Sequence, residues 1–393
     1  MRVLLIGQLP KELGGNYTTG AANVVYELSK QKVDGIELYT FGTNMTAKIA
    51  RCVSQYKNQY IGYSFRFISL FCSIICRPFS LIKRIRHYIK TDHQNPFRYL
   101  FYEDNIARAI RAVNPDVIHV HSIQNLSPVH FALDNRRVPI LLTCHGIFYR
   151  GEASDMIGRD IYLGNIKLAD AYTGLTKESV KEYNTFLGIE ESRVIVIPNG
   201  VDCNKFCYSI EKRENIRAKY QVTNTCKVFI TVASIQERKG QLDFIKLLTK
   251  LDIEWQYWII GRGPDESIIR EYVAFNNIED KVKFLGYRNS AILSEYYSAA
   301  DFYAHPSWKE GQALSELEAN ATGLRTIVNK AIEGTIASDL SSQDYYVVDF
   351  NDINPSDLIR WITKEQNNRQ SKKNFDWCVI SAMYAKVYNE ISK

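Results

Sequence analysis

The stretch Ala304-His305-Pro306-Ser307-Trp308-Lys309-Glu310-Gly311-Gln312-Ala313-Leu314-Ser315-Glu316-Leu317-Glu318-Ala319 governs the reading of the rest of the chain. The short apolar run at 301–304 predicts a strand. The spacing from about Ala313 to Ala321 predicts a helix, and Gly323 closes it. A strand passing through a short loop into a helix is the repeating unit of a parallel α/β sheet. Glu310 and the Gly311–Ala313 backbone then fall at the carboxyl edge of that sheet and at a helix N-terminus, both of them ligand positions. Free backbone N–H groups there favour an anion such as a pyrophosphate, and glycine at 311 lets a ligand come close. Glu310 and Glu318 can border one ligand at different points along it, since ionised carboxylates accept hydrogen bonds from sugar and ribose hydroxyls. Taken alone, the pair also fits an exposed glutamate at a helix start and a solvated one further on.

Working outward, the same alternation recurs. Apolar runs at 3–6, 36–41, 117–120, 140–143, 171–175, 194–197, 228–233, 255–260, 282–285, 301–304 and 326–328 are separated by helix-length segments. Continuous apolar strands of this kind belong to parallel sheets covered on both faces. Their number exceeds one comfortable sheet, so the expected fold class is α/β with two doubly wound parallel sheets. The turn signal Pro198-Asn199-Gly200 within 197–202 marks the break between them. A helix is expected at 356–364, then a polar stretch at 365–374, then a last helix at 377–391.

A chain of 393 residues with 46% hydrophobic and 23% charged residues can bury two cores. The net charge of +6 is too weak to imply nucleic acid as a partner. None of the eight cysteines forms a CxxC pair, and no nearby histidine completes a zinc set, so reduced cytosolic thiols are expected. MRVLLIGQLP is too short for a secretory core and reads as a first buried strand, which places the protein in the cytoplasm. One segment stands apart. Between Tyr60 and Lys90 there are six Arg/Lys and no acid. Ile61, Phe65, Ile68, Cys72, Ile75, Phe79 and Ile82 fall on one helical stripe, with Gly62, Arg66, Ser69, Ser73, Arg77, Ser80 and Arg84 roughly opposite. That pattern over 61–86 fits a helix lying in an anionic membrane interface, kinked or divided at Pro78. It also fits a core helix packed on the sheet.

Three further clusters sit at strand ends. Ala233-Ser234-Ile235-Gln236-Glu237-Arg238-Lys239-Gly240-Gln241 follows a strand and precedes a helix at 242–250, where cations can clamp phosphates. Gly14-Gly15 follows the first strand and permits close phosphate approach, but it is not GxGxxG, which weighs against a nicotinamide cofactor. His145 ends a buried strand, and alternation puts His119 and His121 on one face of another.

Together these motifs resemble glycosyltransferase family 4, retaining enzymes of the GT-B fold, with two Rossmann-like domains facing a central cleft. Glu310 and Glu318 fit that family's E-x7-E motif. Gly14-Gly15, Pro198–Asp202, Arg238-Lys239-Gly240, Ile259–Pro264 and Phe284-Leu285-Gly286 match in the same order. The resemblance implies an acceptor-binding domain over 1–199, with a C-terminal helix at 372–393 packing back on it, and a donor-binding domain over 200–371. It implies that Glu310 holds donor-sugar hydroxyls, that Gly311, Gln312, Ala313 and Leu314 hold sugar and phosphate, and that Glu318 binds the ribose. Gly286, Tyr287 and Arg288 would contact the base, His145 would lie near the sugar, and Gly15 under the phosphates. Arg238 and Lys239 would neutralise the diphosphate, doing the electrostatic work that a divalent metal does elsewhere, so neither metal nor cofactor is expected.

Two positions depart from the family. Its frequent G-R-L turn reads Ala233-Ser234-Ile235 here, which leaves Arg238 to supply the charge, and Gln312-Ala313 replaces the usual Phe-Gly. The implied reaction is retaining transfer from a nucleotide-sugar, a UDP-sugar, to a glycan or polyprenyl-linked acceptor in polysaccharide assembly at the inner face of the cell membrane. The competing readings are a nucleotide-sugar epimerase, which would consume donor without acceptor, and a non-catalytic nucleotide-sugar-binding protein.

Overall fold

The computed structural model describes all residues except 16–19, 55–58, 65–74, 76–77, 93–95, 135, 146–164, 337–342, 365–368 and 370. Two compact units result, Met1–Pro198 with Trp377–Lys393, and Asn199–Asp376.

The first unit is built on β1 (Arg2–Gly7), β2 (Glu37–Thr46), β3 (Gln59–Tyr63), β4 (Val117–His121), β5 (Ile140–Thr143), β6 (Ala171–Gly174) and β7 (Val194–Val196). They form a seven-stranded sheet in the order β3-β2-β1-β4-β5-β6-β7, and every recorded pairing is parallel. Leu4 and Ile6 on one face of β1 and Val3 and Leu5 on the other are all at 0% exposure. Both faces are therefore covered, as an unbroken apolar strand requires. One covering layer is the helix Pro96–Val113, whose Ile106, Ile110 and Val113 join Leu4, Ile6 and Val120 in the main core. Fully burying a side chain of this size contributes about 1.5–3 kcal/mol.

The second unit holds β8 (Lys227–Val232), β9 (Trp255–Ile260), β10 (Val282–Gly286), β11 (Phe302–His305), β12 (Arg325–Asn329) and β13 (Tyr345–Val348). Their order is β10-β9-β8-β11-β12-β13, again parallel throughout. Val228 and Ile230 point into one core with Trp258, Tyr297 and Leu317, while Phe229 points into the opposite one with Phe244 and Leu248. Arg369 ties the helix ends of the first of these layers. It donates to the carbonyls of Tyr297 at 2.7 Å, Ala300 at 2.9 Å and Thr322 at 2.8 Å. Helix C-termini leave unpaired carbonyls, and a guanidinium satisfies several at once.

Two strands escaped the sequence reading. Ile61 and Gly62, assigned above to opposite faces of one helix, lie in β3, where Phe41 of β2 pairs with Ile61. Tyr60 is buried there against Leu9, Val25 and Met45, so pairing and burial override the helical spacing. Gly62 is forced by proximity, since a Cβ would come within 2.4 Å of the Thr46 carbonyl oxygen. The short Tyr345–Val348 run has mostly half-buried residues and gains strand form from pairing with β12. Phe65, Ile68 and Cys72 of the proposed stripe lie outside the described residues. The segment resumes as the helix Pro78–Asp92, whose Leu81 and Tyr88 pack with Leu100 of the neighbouring helix Pro96–Val113 rather than on the sheet.

Candidate active site

In each sheet the strand order reverses beside the first strand of the unit, between β1 and β4 and between β8 and β11. Loops leaving the carboxyl ends on either side of such a reversal open a crevice, the usual ligand position of an open α/β sheet. In the second unit those loops carry Arg238 and Lys239 after β8, and Trp308–Ala313 after β11.

The two loops are pressed together. Gly240 has φ +68°, and a Cβ on it would meet the Pro306 carbonyl oxygen at 2.1 Å, so only glycine fits. The Trp308 amide donates to the Arg238 carbonyl at 2.8 Å, and the Trp308 indole donates to Asp243 at 2.8 Å. Arg238, exposed, donates to the Lys309 carbonyl at 3.3 Å. Lys239 forms an ion pair with Glu310, and both side chains are about nine-tenths buried.

Behind Glu310 stands His305, the last residue of β11. Its Nδ1 lies 3.1 Å from Glu316 Oε2 and its Nε2 3.9 Å from Glu310 Oε1. Burial opposes charge on the imidazole, but the Glu310 and Glu316 carboxylates outweigh it and hold the group up at about 9. For Glu310 burial again opposes charge, and His305 and Lys239 together pull it down to about 2. Burial lowers Lys239 in spite of Glu310. The cluster brings two carboxylates and two cationic side chains together, none more than 13% exposed. The helix Leu314–Ala321 begins beside it with no side-chain cap at Ala313, which leaves its first N–H groups for a ligand. Gln312 is buried, and its Oε1 accepts from the Asn199 amide at 2.6 Å. Asn199 thus braces the Glu310 loop within the second unit.

Glu318 lies within the same helix and accepts from the Tyr297 hydroxyl at 2.9 Å. Burial pushes it up to about 7. Gly286 ends β10 at φ +65°, Tyr287 is exposed, and Arg288 turns to the Tyr296 hydroxyl at 3.3 Å. Of the residues named from sequence, Arg238, Lys239 and Glu310 meet in one cluster. Gly311, Ala313 and Leu314 continue from it, and Glu318 and the 286–288 turn occupy positions of their own on the unit. His305 and Glu316 were not named. A buried partner for each could be suspected from a histidine closing an apolar strand and an acid beside Leu317, but only the fold pairs them.

The remaining candidates belong to the first unit. Gly15 sits in the loop after β1, where a Cβ would strike the Leu9 carbonyl oxygen at 2.0 Å. Asn44 pins that loop, donating to the Leu9 carbonyl and accepting from the Leu9 amide, each at 2.9 Å. The turn itself therefore demands the glycine. His119 and His121 share a face, their rings 4.1 Å apart. His119 contacts the Thr143 hydroxyl and the Tyr388 hydroxyl, each at 2.7 Å, so the helix Trp377–Ile391 anchors it. His121 Nδ1 meets His145 Nε2 at 3.0 Å, with the rings stacked. Burial lowers His145 to about 4 and His119 to about 3, so the imidazoles are neutral at pH 7. Among the described residues no group of three or more His, Cys, Asp or Glu side chains is placed to hold a metal ion.

Residues 212–376 match the model of the glycosyl transferases group 1, and residues 18–205 match that of glycosyltransferase family 4. The chain belongs to the group 1 glycosyltransferases of the family 4 type. It is 23% identical to the Escherichia coli UDP-Gal:alpha-D-GlcNAc-diphosphoundecaprenol alpha-1,3-galactosyltransferase, over 84% of this chain and 81% of that one. It is 24% identical to the Acholeplasma laidlawii alpha-monoglucosyldiacylglycerol synthase, over 59% of this chain and 63% of that one. The Anabaena protein HepE, solved in complex with UDP, superposes with a TM-score of 0.74 at 16% identity, covering 99% of this chain and 100% of that one. The fold of this glycosyltransferase is GT-B.

Proposed function

We propose that this chain transfers a sugar, with retention of configuration, from a UDP-sugar to a glycan or lipid-linked glycan acceptor in polysaccharide assembly. The observation that carries the reading is the Lys239–Glu310 pair at the strand-order reversal of the second unit, in a chain of this family. Lys239 and Arg238 would take the diphosphate charge as it develops on the leaving group, the work a divalent metal does in other transferases. Glu310 would accept hydrogen bonds from sugar hydroxyls, and the amides of Gly311, Gln312, Ala313 and Leu314 would hold sugar and phosphate. Glu318 would bind the ribose, and Gly286, Tyr287 and Arg288 the base. The family resemblance assigns Gly15 to phosphate and His145 to sugar. The C1–O bond to the diphosphate breaks as the acceptor hydroxyl attacks on the same face, and its proton passes to the departing phosphate oxygen. The E. coli relative's name specifies UDP-Gal and a diphosphoundecaprenol-linked acceptor, and HepE was solved with UDP. Both support this donor and acceptor class. A panel of nucleotide-sugars assayed for released nucleoside diphosphate should show UDP release that requires a polyprenyl-diphosphate glycan and survives chelation by EDTA. Acceptor-independent consumption of donor, or loss of turnover on chelation, would refute this reading.

The same proposal places the first unit on the membrane. Along the helix Pro78–Asp92, Phe79 at 87%, Ile82 at 46% and Ile89 at 53% exposure lie on one face, with exposed Lys83 and Arg86 beside them. Ile75 extends the same spacing at 64%. Apolar side chains flanked by cations suit an anionic interface. Among the described residues no helix is long and apolar enough to cross a bilayer. Vesicles of phosphatidylglycerol and phosphatidylcholine should co-sediment the protein. Phe79→Ser with Ile82→Ser should weaken that binding at least tenfold, since each inserted side chain is worth about 1.5–3 kcal/mol. Equal binding by wild type and variant would discard the assignment of this face.

A further inference from the structure

Glu316 is a carboxylate at 1% exposure on the helix Leu314–Ala321, and its Oε1 has no hydrogen-bond partner. Burying such a group is expensive unless it is paired. Its recorded partner is the ring of His305, itself at 3% exposure, through Oε2 and Nδ1 at 3.1 Å. The other ring nitrogen faces Glu310 Oε1 at 3.9 Å. The ring therefore has one carboxylate in hydrogen-bond contact and a second within ion-pair distance, a setting that favours the imidazolium. The Tyr303 ring on its own strand also lies near it, with centroids 5.8 Å apart. Lys239 reaches the cluster from across Glu310.

This arrangement resolves a conflict in the donor site. Lys239 is bonded to Glu310, yet it is also the buried cation positioned for the diphosphate. If the ammonium turns to phosphate, Glu310 would be left as a buried carboxylate without its ion pair. We propose that His305, held in place by Glu316, is a positioning residue that keeps Glu310 ionised and aimed when Lys239 leaves it for the donor's diphosphate. The inference rests on the reading of Glu310 and Lys239 as the donor pair. It adds a role for two residues other than the paired glutamates of the E-x7-E pattern.

The test uses the full chain with UDP-sugar and acceptor. His305→Gln keeps a hydrogen-bonding side chain without the charge, and Glu316→Gln removes the charge that holds the ring. Each should lower kcat at least fivefold while the melting temperature still shows a folded protein. In each, the acid limb of kcat, which reports the donor-bound complex, should move up by at least one pH unit, because Glu310 then protonates more easily. The double variant should be no worse than the more severe single variant, as expected for one chain of contacts. A purely structural role would change the melting temperature without moving the acid limb. Wild-type kcat and an unshifted limb in His305→Gln, with Glu310→Gln inactive, would overturn this inference alone. Wild-type turnover in Glu310→Gln would overturn the donor-site reading beneath it. If neither substituted protein folds, isotope-labelled histidine in the wild type decides the matter by NMR. The His305 ring should stay protonated at pH 7.5 before and after UDP is added, and a neutral ring in either state would refute the proposal.

Discussion

Lys239→Ala is expected to lower turnover at least tenfold, and by about 100-fold if Lys239 contributes as one electrostatic contact in a closed site usually does. The argument starts from placement. Lys239 stands where the loop after β8 touches the loop after β11, and both members of its pair with Glu310 are about nine-tenths buried. In such a site a charge acts with little screening by water. The loss should appear in kcat more than in KM, because leaving-group charge develops in the transition state rather than in the bound donor. Removing one partner of a buried ion pair costs about 3–5 kcal/mol when the other is left alone. Here His305 still faces Glu310, so the expected loss of unfolding free energy is smaller, about 1–3 kcal/mol. A folded variant with wild-type turnover would remove Lys239 from the diphosphate.

Glu310→Gln should abolish measurable transfer, with at least a 100-fold loss, and should also change how stability responds to acid. Gln keeps the size and one acceptor oxygen but lacks the charge that answers Lys239 and His305. In the wild type the folded group lies at about 2, against an ordinary 4.5. A depressed carboxylate stabilises the fold above its unfolded value and loses that contribution as pH falls through the folded one. Glu310 therefore adds up to about 3 kcal/mol at neutral pH, and this drains away between about pH 4.5 and 2. Denaturant unfolding at pH 7 and again near pH 3 should show the wild type and Glu310→Gln converging as pH falls. A constant gap between them would mean that the carboxylate is not held by its neighbours.

Several elements were legible from residue order because their physics is local. The runs at 140–143 and 255–260 are continuous apolar strands with bounds that match β5 and β9. The helix at 377–391 announces itself by spacing and is found there. Where the signal was not local it misled. Ile61 continues the apolar period of the residues after it, but it is claimed by pairing with Phe41 of β2. At Gly15 the fold adds a demand for glycine that residue order does not show, since a Cβ would meet the Leu9 carbonyl oxygen at 2.0 Å. Glu316 stands in the same stretch as Glu310 and Glu318 with no local mark of its own, because its burial depends on how the helix packs.

The sequence by itself determined two parallel α/β sheets and an ordered set of motifs of this family. Unbroken apolar strands must be covered on both faces, and Glu310, Glu318, Arg238 and Lys239 stand at recognisable offsets from them. Only the tertiary structure decided which charges meet. Lys239 and Glu310 are 71 residues apart and become neighbours because β8 lies beside β11 in the sheet. His305 is favoured as a cation because two carboxylates, one on a loop and one on a helix, face its two nitrogens at 3.9 and 3.1 Å. Ionisation in a buried cluster is a property of the neighbours, and neighbours of that kind are set by the order of strands rather than by position along the chain.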